Sequence, residues 1–285
     1  MASMRDIKRR KSSIQSTQQI TKAMKLVSTV KLQKAKVHAE QTDPYFQHMY
    51  RTVTSILARS GNMDHPYLAD NGSDKIGFVV ITSNRGLAGG YNSNITKLVQ
   101  NSGLAKDKVL LYTIGTKGKD SLERKGYQIA QDASDVIENP TYKDAMEICD
   151  KVLQDYAEGK IGQIYLAYTH FKNTVVHVPS LMKLLPVEFS EAELSAADKN
   201  LIMNYEPNEK EALDRIIPKY VTSIFYGALV EAVASENGAR MQAMDSATSN
   251  AEEMISDLSL KYNRARQGSI TQELTEIIAG AEAIS

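Results

Sequence analysis

The first part of the chain has the pattern of one long helix. Residues 3–59 contain no glycine, are rich in Lys, Gln, Ala and Met, and place apolar residues at helical intervals. The apolar positions are Ile7, Ile14, Ile20, Met24, Val27, Val30 and Val37. Because proline removes a backbone hydrogen bond, Asp43-Pro44 is expected to bend this helix or split it into two pieces. We therefore predict an N-terminal helical segment over 1–59.

Between residues 75 and 187 the hydrophobic period changes. Short apolar, β-branched runs alternate with segments of helical spacing. The predicted strands are 76–83, 108–115 and 163–170, and the predicted helices are 93–100, 117–125 and 142–156. Fully apolar strands between amphipathic helices indicate a mainly parallel sheet covered on both faces. Residues 174–178 are predicted to pair with 163–170 as a hairpin at the sheet edge.

The last segment, 209–285, returns to a helical pattern. Its apolar residues recur in alternating steps of three and four, which is a heptad pattern with one register break at Gly268. The first set is Met241, Met244, Thr248, Ala251, Ile255, Leu258, Tyr262 and Ala265, and the second is Ile270, Leu274, Ile277, Ala281 and Ile284. A helix from 219 to 284 would be on the order of 100 Å long, so it must project from a domain.

These patterns together predict the fold class. The long helices at the two ends of the chain are expected to cover each other as an antiparallel coiled coil, with the α/β domain of 75–187 inserted between them. Ala, Ser, Thr and Met dominate where a strong coiled coil would have Leu and Ile. The segment from Ile270 onward also has too little N-terminal sequence opposite it, so we expect it to be lined by other subunits.

Charge is unevenly distributed along a chain whose formal net charge is zero. Residues 1–40 contain ten basic and two acidic side chains, whereas 209–285 contain twelve acidic and seven basic ones. Such a basic helix can bind nucleic acid or an acidic protein. No aromatic residue precedes Tyr45 and no zinc-finger, helix-turn-helix or basic-zipper pattern is present, so an acidic protein partner is favoured over nucleic acid.

The loop from Ser83 to Tyr91 is the one candidate for an active site. It is rich in glycine and lies between an apolar strand and a helix, as phosphate-binding loops do. Its glycines, Gly86, Gly89 and Gly90, match neither GxGxxG nor GxxxxGK[ST]. A tight turn is therefore the favoured interpretation. The alternative is a nucleotide-binding α/β enzyme with a coiled-coil dimerisation arm.

Other chemistry has little support in the sequence. The histidines are scattered without a metal-ligand spacing, and no GxSxG motif is present. They are His38, His48, His65, His170 and His177. Cys149 is the only cysteine, which excludes an internal disulfide and predicts a buried, inert thiol. We expect no catalytic residue, cofactor or metal, and neither a secretion signal nor a membrane span.

Three motifs resemble those of one known family. The string from Ile270 to Ala283, ITQELTEIIAGAEA, is similar to the C-terminal signature of the gamma subunits of rotary, F-type ATP synthases. Ile20-Thr-Lys-Ala-Met-Lys25 and Arg85-Gly-Leu-Ala-Gly-Gly90 resemble two other motifs of that family. The similarity runs along the whole chain. It implies two long terminal helices with an inserted Rossmann-like domain.

The resemblance also implies a function and partners. Gamma subunits are non-catalytic rotors of the central stalk, present as one copy inside a ring of three alpha and three beta subunits. They also contact the epsilon subunit and the membrane c ring, and their rotation couples ion flow to ATP synthesis or hydrolysis. The lack of a transit-peptide pattern favours a bacterial complex, at the cytoplasmic face of the plasma membrane.

Several residues match positions that the family uses for coupling or contact. By resemblance, Lys22, Met24 and Lys25 lie opposite an acidic loop of the beta subunits. Tyr205 and Glu206 match the foot region near epsilon and the c ring. The remaining matches to coupling or shaft-contact positions are Arg240, Arg266, Gln267, Thr271, Glu273, Thr275 and Glu276. In this family the glycine-rich loop is not a nucleotide site.

Overall fold

The computed structural model describes residues 3–60, 65–69, 71–187 and 208–282, and within them the chain forms five α-helices and five strands. The helices are α1 (Met4–Ser60), α2 (Tyr91–Gln100), α3 (Thr116–Glu123), α4 (Tyr142–Ala157) and α5 (Glu209–Glu282). The strands are β1 (Ile76–Ile81), β2 (Val109–Ile114), β3 (Gln128–Asp132), β4 (Gln163–Phe171) and β5 (His177–Leu185). The predicted fold class, with long terminal helices flanking an α/β domain, is confirmed.

The two terminal helices are longer and less interrupted than their sequences suggest. Helix α1 continues through Pro44, so the lost hydrogen bond does not end it. Helix α5 has 74 residues and contains both Pro218 and Gly268. The register break in the heptad pattern at Gly268 therefore leaves the helix continuous.

The sheet has the strand order β3-β2-β1-β4-β5. Strands β1 to β4 are parallel to their neighbours, and β5 pairs antiparallel with β4. The mainly parallel sheet and its hairpin edge are as predicted, but the second hairpin strand begins at His177 and runs to Leu185, beyond the predicted 174–178. Strand β3 was not expected from the sequence, because its five residues QIAQD carry little apolar character.

Side chains on the two faces of the sheet form two apolar cores. Val79, Ile81 and Leu166 on one face pack with residues of α4 and α5. Phe78 and Val80, which alternate with them along β1, pack on the other face with residues of α2. Because successive strand residues point to opposite faces, a fully apolar strand fills both cores. This explains why β1 has no polar alternation.

The chain divides into two compact units, and the boundary between them passes through both long helices. One unit comprises Met1–Ser28 and Met241–Ser285, and the other comprises Thr29–Arg240. The second unit contains the whole sheet. The division of the chain into domains at 1–59, 75–187 and 209–285 stays a prediction.

In the first unit, parts of α1 and α5 pair side by side. Gln18 donates to Glu252 (Nε2 to Oε1, 3.0 Å), Thr21 bonds Thr248 (Oγ1 to Oγ1, 2.8 Å), and Lys25 pairs with Asp245 (Nζ to Oδ1, 2.5 Å). As residue numbers rise in α1, those of their partners fall in α5. The two segments are therefore antiparallel, as predicted.

Small and hydroxyl side chains form the interhelical seam of this unit. Its buried residues are Thr21, Ser28, Met244, Thr248, Ala251 and Leu258. The first heptad set predicted for α5 is confirmed by these positions. The apolar stripe predicted for α1 is wrong at Ile20 and Val27, which are 60% and 59% exposed, and also at Val30 and Val37 of the second unit, which are 57% and 50% exposed. Helix α1 is rotated so that the positions at Thr21 and Ser28 face α5 instead. The Thr21 hydroxyl can be buried in this orientation of α1 because it forms a hydrogen bond with the Thr248 hydroxyl.

The apolar composition of α5 is explained by burial. Within Lys210–Ala281 there is a window of eighteen residues apolar enough, by length and composition, to cross a membrane, and 61% of that window is buried inside the protein. A helix that packs in a protein core passes the same test. The window therefore carries little indication of a membrane span.

Asp155 on α4 joins three parts of the second unit. Its carboxylate is 4% exposed and accepts hydrogen bonds from Tyr112 Oη at 2.8 Å and from Lys151 Nζ and Lys160 Nζ, each at 2.9 Å. Burial alone would raise the pKa of this carboxyl, but hydrogen bonds from Lys160, Lys151 and Tyr112 outweigh it and the pKa is lowered. The charged form of Asp155 thus stabilises the folded domain.

Replacing Asp155 with Asn is expected to lower the free energy of unfolding by about 2 kcal/mol at pH 7. The lowered pKa means that the stabilisation is complete above about pH 4 and is lost as the pH falls through the folded-state value. The difference between the two proteins should therefore shrink in acid, as measured by urea unfolding. Asp150→Asn, at an exposed position of the same helix, is the control. A difference that stays constant down to about pH 3 would contradict this prediction.

The Thr21–Thr248 pair can be tested by a double-mutant cycle. Thr21→Val and Thr248→Val should each destabilise the chain by about 1 kcal/mol, and the double variant should cost clearly less than their sum. The physical reason is that the double variant leaves no hydroxyl without its cross-helix partner. Urea unfolding of the full chain measures all three, and Ser12→Ala with Ser256→Ala, at exposed positions, provides an additive control. Strict additivity for the threonines would argue against the bond.

Candidate functional site

The residues predicted to contact partners lie mostly on exposed surface of the first unit. Lys22 is exposed, and Met24 and Lys25 are half-buried, with the Lys25 ammonium held by Asp245. Six others are exposed on the last turns of α5: Arg266, Gln267, Thr271, Glu273, Thr275 and Glu276. Tyr205 and Glu206 lie outside the described residues. The roles of all these residues stay predictions.

Exposed apolar side chains lie beside the predicted contact residues. On α1 these are Ile20, Val27 and also Leu26, which the helical pattern did not single out and which is 65% exposed. On α5, every described position from Ile270 onward is exposed, including Leu274 and Ile277. Contiguous exposed apolar residues are characteristic of surfaces that another protein covers.

The glycine-rich loop lies at the carboxyl end of β1, where open α/β sheets bind ligands. The strand order reverses direction between β1 and β4, and the crevice at such a point is the usual ligand site of these folds. Ser83 fixes the loop by donating to the Arg85 carbonyl (2.6 Å) and by receiving Asn92 Nδ2 on its hydroxyl (2.8 Å). Leu87 adopts a positive φ of 62° at the exposed tip of the loop.

Gly115, directly after β2, allows the turn into α3 to approach the end of β1 closely. Its φ is 99°, and a Cβ atom there would lie 2.2 Å from the Thr82 carbonyl oxygen. The Thr82 hydroxyl donates to the Gly115 carbonyl (3.0 Å) and accepts the Gly118 amide (2.9 Å). The local backbone is thus packed against itself, with its polar groups paired internally.

Helix α5 fills the crevice. Tyr91 Oη donates to the Ala232 carbonyl at 3.2 Å, and Ser235 Oγ donates to the Thr169 carbonyl at 3.1 Å. Arg240 donates from Nε to the Gly86 carbonyl and from Nη2 to the Arg85 carbonyl, both at 3.3 Å. These contacts all lie within the second unit. The space that a ligand would take in a related fold is occupied by the protein's own helix.

The polarity of the loop is opposite to that of a phosphate site. A phosphate-binding loop directs backbone N–H groups at an anion. Here the carbonyls of Arg85 and Gly86 accept hydrogen bonds from the cationic side chain of Arg240. The interpretation as a tight packing turn therefore agrees with the geometry better than the nucleotide-binding alternative.

Glu236 completes the arrangement around Arg240. Its Oε1 lies 2.7 Å from Arg240 Nη1, and the side chains are 13% and 10% exposed. Burial raises the pKa of the Glu236 carboxyl even though Arg240 lowers it, and burial likewise raises the pKa of the nearby Tyr91 well above its usual value. Glu236 was not among the predicted site residues; its spacing of four residues before Arg240 on a helix was the available signal.

His170, His177 and Cys149 have contacts or burial that fit a structural role. His170 Nδ1 contacts Glu231 Oε2 at 2.7 Å, and burial lowers the pKa of His177, whose ring lies against Phe171. Cys149 is buried, and burial raises the pKa of its thiol to about 12. Among the described residues, no cluster of three or more His, Cys, Asp or Glu side chains could hold a metal ion.

Comparison with known proteins gives one consistent result. A family model described as ATP synthase matches residues 3–284. A curated ATP synthase gamma chain from Lachnoclostridium phytofermentans is 65% identical over 292 residues, covering 100% of both chains.

Solved structures agree with this relationship. A chain in the structure of the central stalk and c ring of the Tetrahymena thermophila mitochondrial ATP synthase has a TM-score of 0.59 and 26% identity. The match covers 80% of this chain and 99% of that one. A chain of the Euglena gracilis mitochondrial ATP synthase shares the fold, with a TM-score of 0.71, 18% identity and coverage of 99% and 94%. With its sequence matched from end to end, the chain belongs to the gamma-chain family of ATP synthases.

Proposed function

We propose that this chain is the central-stalk rotor subunit of a bacterial ATP synthase and is itself non-catalytic. The observation that carries the proposal is the end of α5, where apolar side chains at Ile270, Leu274, Ile277 and Ile278 are all exposed. A helix surface of this kind is characteristic of one that another protein covers, and by the family resemblance that protein would be the ring of alpha and beta subunits. The occupied crevice beside the glycine-rich loop supports the absence of a catalytic nucleotide site.

The proposed complex contains one copy of this chain with three alpha and three beta subunits, and the chain also contacts epsilon and the membrane c ring. It acts at the cytoplasmic face of the plasma membrane. Each angle of an asymmetric shaft makes different contacts with each beta subunit. Ion-driven rotation therefore shifts the conformational populations of the catalytic sites in sequence. ATP hydrolysis drives rotation in the opposite direction.

The proposed contact residues have environments compatible with this role. Lys22 is exposed on α1, where its positive charge would attract an acidic loop of a partner subunit. Lys25 forms an ion pair with Asp245. The guanidinium of Arg266 and the carboxylates of Glu273 and Glu276 are exposed, as hydrogen-bonding contacts to a surrounding ring require.

The small side chains of the interhelical seam also suit a rotor. Hydroxyl and alanine side chains hold α1 and α5 together without large apolar residues, which leaves Ile20, Leu26 and Val27 on the outside. Side chains of moderate size on a helix surface slide past a lining more easily than deeply interlocked ones. We infer that this outer surface forms a bearing.

Reconstitution tests the proposal directly. The full chain is mixed with matching alpha and beta subunits, the products are separated by size, and ATP hydrolysis is measured with and without the chain. We expect one copy per three alpha-beta pairs and the appearance of multisite hydrolysis. The isolated chain should show no ATP binding by calorimetry. A chain that stays separate and binds or hydrolyses ATP alone would refute the proposal in favour of the nucleotide-binding alternative.

Ile277→Asn tests the exposed end of α5. Because Ile277 is 68% exposed, the substitution should change the unfolding free energy of the isolated chain by less than about 0.5 kcal/mol. It should nevertheless weaken assembly with alpha and beta subunits, measured as the fraction of chain in the large complex. Ser256→Asn, at another exposed position of the same helix, should assemble normally. Equal assembly of both variants would show that this surface is not covered.

A further inference from the structure

One face of α5 is attached to the α/β core at three successive levels. The Ala232 carbonyl accepts from Tyr91, Ser235 donates to the Thr169 carbonyl, and Arg240 donates to the glycine-rich loop. These helix positions are three to five residues apart and span about 12 Å along the helix axis. Rotation of α5 about its own axis would break all three attachments.

The attachment at Arg240 uses the whole guanidinium group. Nε and Nη2 reach the carbonyls of Gly86 and Arg85, and Nη1 reaches Glu236. The guanidinium is planar, so anchoring Nη1 sets the direction of the other two nitrogens. We name Glu236, Arg240 and the two loop carbonyls the Arg240 clasp.

The loop that receives Arg240 is itself fixed to the sheet. Asn84 donates to the Ser134 carbonyl at 2.6 Å, beyond the end of β3, and accepts the Thr116 amide at 3.0 Å, at the start of α3. The Ser83 amide donates to Asn92 Oδ1 at 2.9 Å on α2. A force applied to the loop by Arg240 is therefore passed to two helices and to the chain after β3.

We infer that Glu236 is a positioning residue for torque transfer: it orients Arg240 into the loop carbonyls, so that this third attachment resists turning of α5 relative to the α/β core. The inference rests on the proposed rotor function. Glu236 acts through Arg240 and needs no contact with a partner subunit. Its side chain is only 13% exposed, unlike the exposed residues proposed to touch the surrounding ring.

The experiment uses the assembled complex in vesicles and the isolated full chain. Glu236→Gln removes the charge that holds Arg240 but keeps the side-chain shape. In the complex we expect ATP hydrolysis to persist while the number of ions pumped per ATP falls by about fivefold or more. In the isolated chain we expect faster amide hydrogen exchange in the loop, residues 83–91. Glu123→Gln, an exposed position on α3, should change neither quantity.

A second variant covers the case in which Glu236→Gln leaves a buried, unpaired Arg240 and does not fold. Glu236→Gln combined with Arg240→Gln removes both charges, and we expect it to fold, to hydrolyse ATP and to pump poorly. Pumping by the double variant at the level of the unsubstituted chain would overturn the inference. So would a parallel fall of hydrolysis and pumping, because a purely structural defect lowers both equally.

The outcomes separate this inference from the proposed function. If complexes with the unsubstituted chain do not pump, the rotor proposal fails and with it the role in torque transfer. The hydrogen-exchange comparison still tests the Arg240 clasp in that case. Unchanged exchange in the loop of the Glu236→Gln chain would show that Glu236 does not position Arg240.

Discussion

The packing of helix α5 against the carboxyl end of the sheet is the contact on which the rest of the second unit depends. The crevice at this end exposes carbonyl and hydroxyl groups that must find hydrogen-bond partners once water is excluded. Tyr91, Ser235 and Arg240 supply those bonds between the helix and the core. In other folds of this class the same crevice receives a ligand. Here it fixes the part of α5 from Ala232 to Arg240 against the α/β domain.

The first unit is held together by a different balance of forces. Its seam has few large apolar side chains, and much of its specificity comes from the Thr21–Thr248 bond and the Lys25–Asp245 and Gln18–Glu252 pairs. The Lys25–Asp245 and Gln18–Glu252 pairs are exposed, and exposed pairs contribute little stability in water. The apolar side chains of α1 face outward instead, where burial by a partner would stabilise the assembly more than the isolated chain. In the proposed complex, these side chains would therefore stabilise the assembly, whereas they add little to the stability of the helix pair alone.

Much of the fold was predictable from hydrophobic periodicity. The long helices and strands β1, β2 and β4 follow from runs with a clear period, and the heptad phase of α5 is correct. The phase of α1 was not predictable in this way. Ile20 and Val27 suggested an inward stripe, yet Thr21 and Ser28 face α5. Which face turns inward depends on the surface of the other helix and on the eventual partners, which the pattern of one helix does not contain.

By itself, the sequence determined the order of the elements, the mainly parallel sheet and, through three motifs, the family. Secondary-structure propensity and the spacing of apolar residues depend on only a few neighbouring residues, so both can be recognised from the sequence. Only the tertiary structure decided that the glycine-rich loop receives Arg240, that Glu236 is buried beside it, and that β3 completes the sheet. The first of these depends on residues 154 positions apart meeting in space, and all three depend on burial and pairing, which are properties of the packed chain.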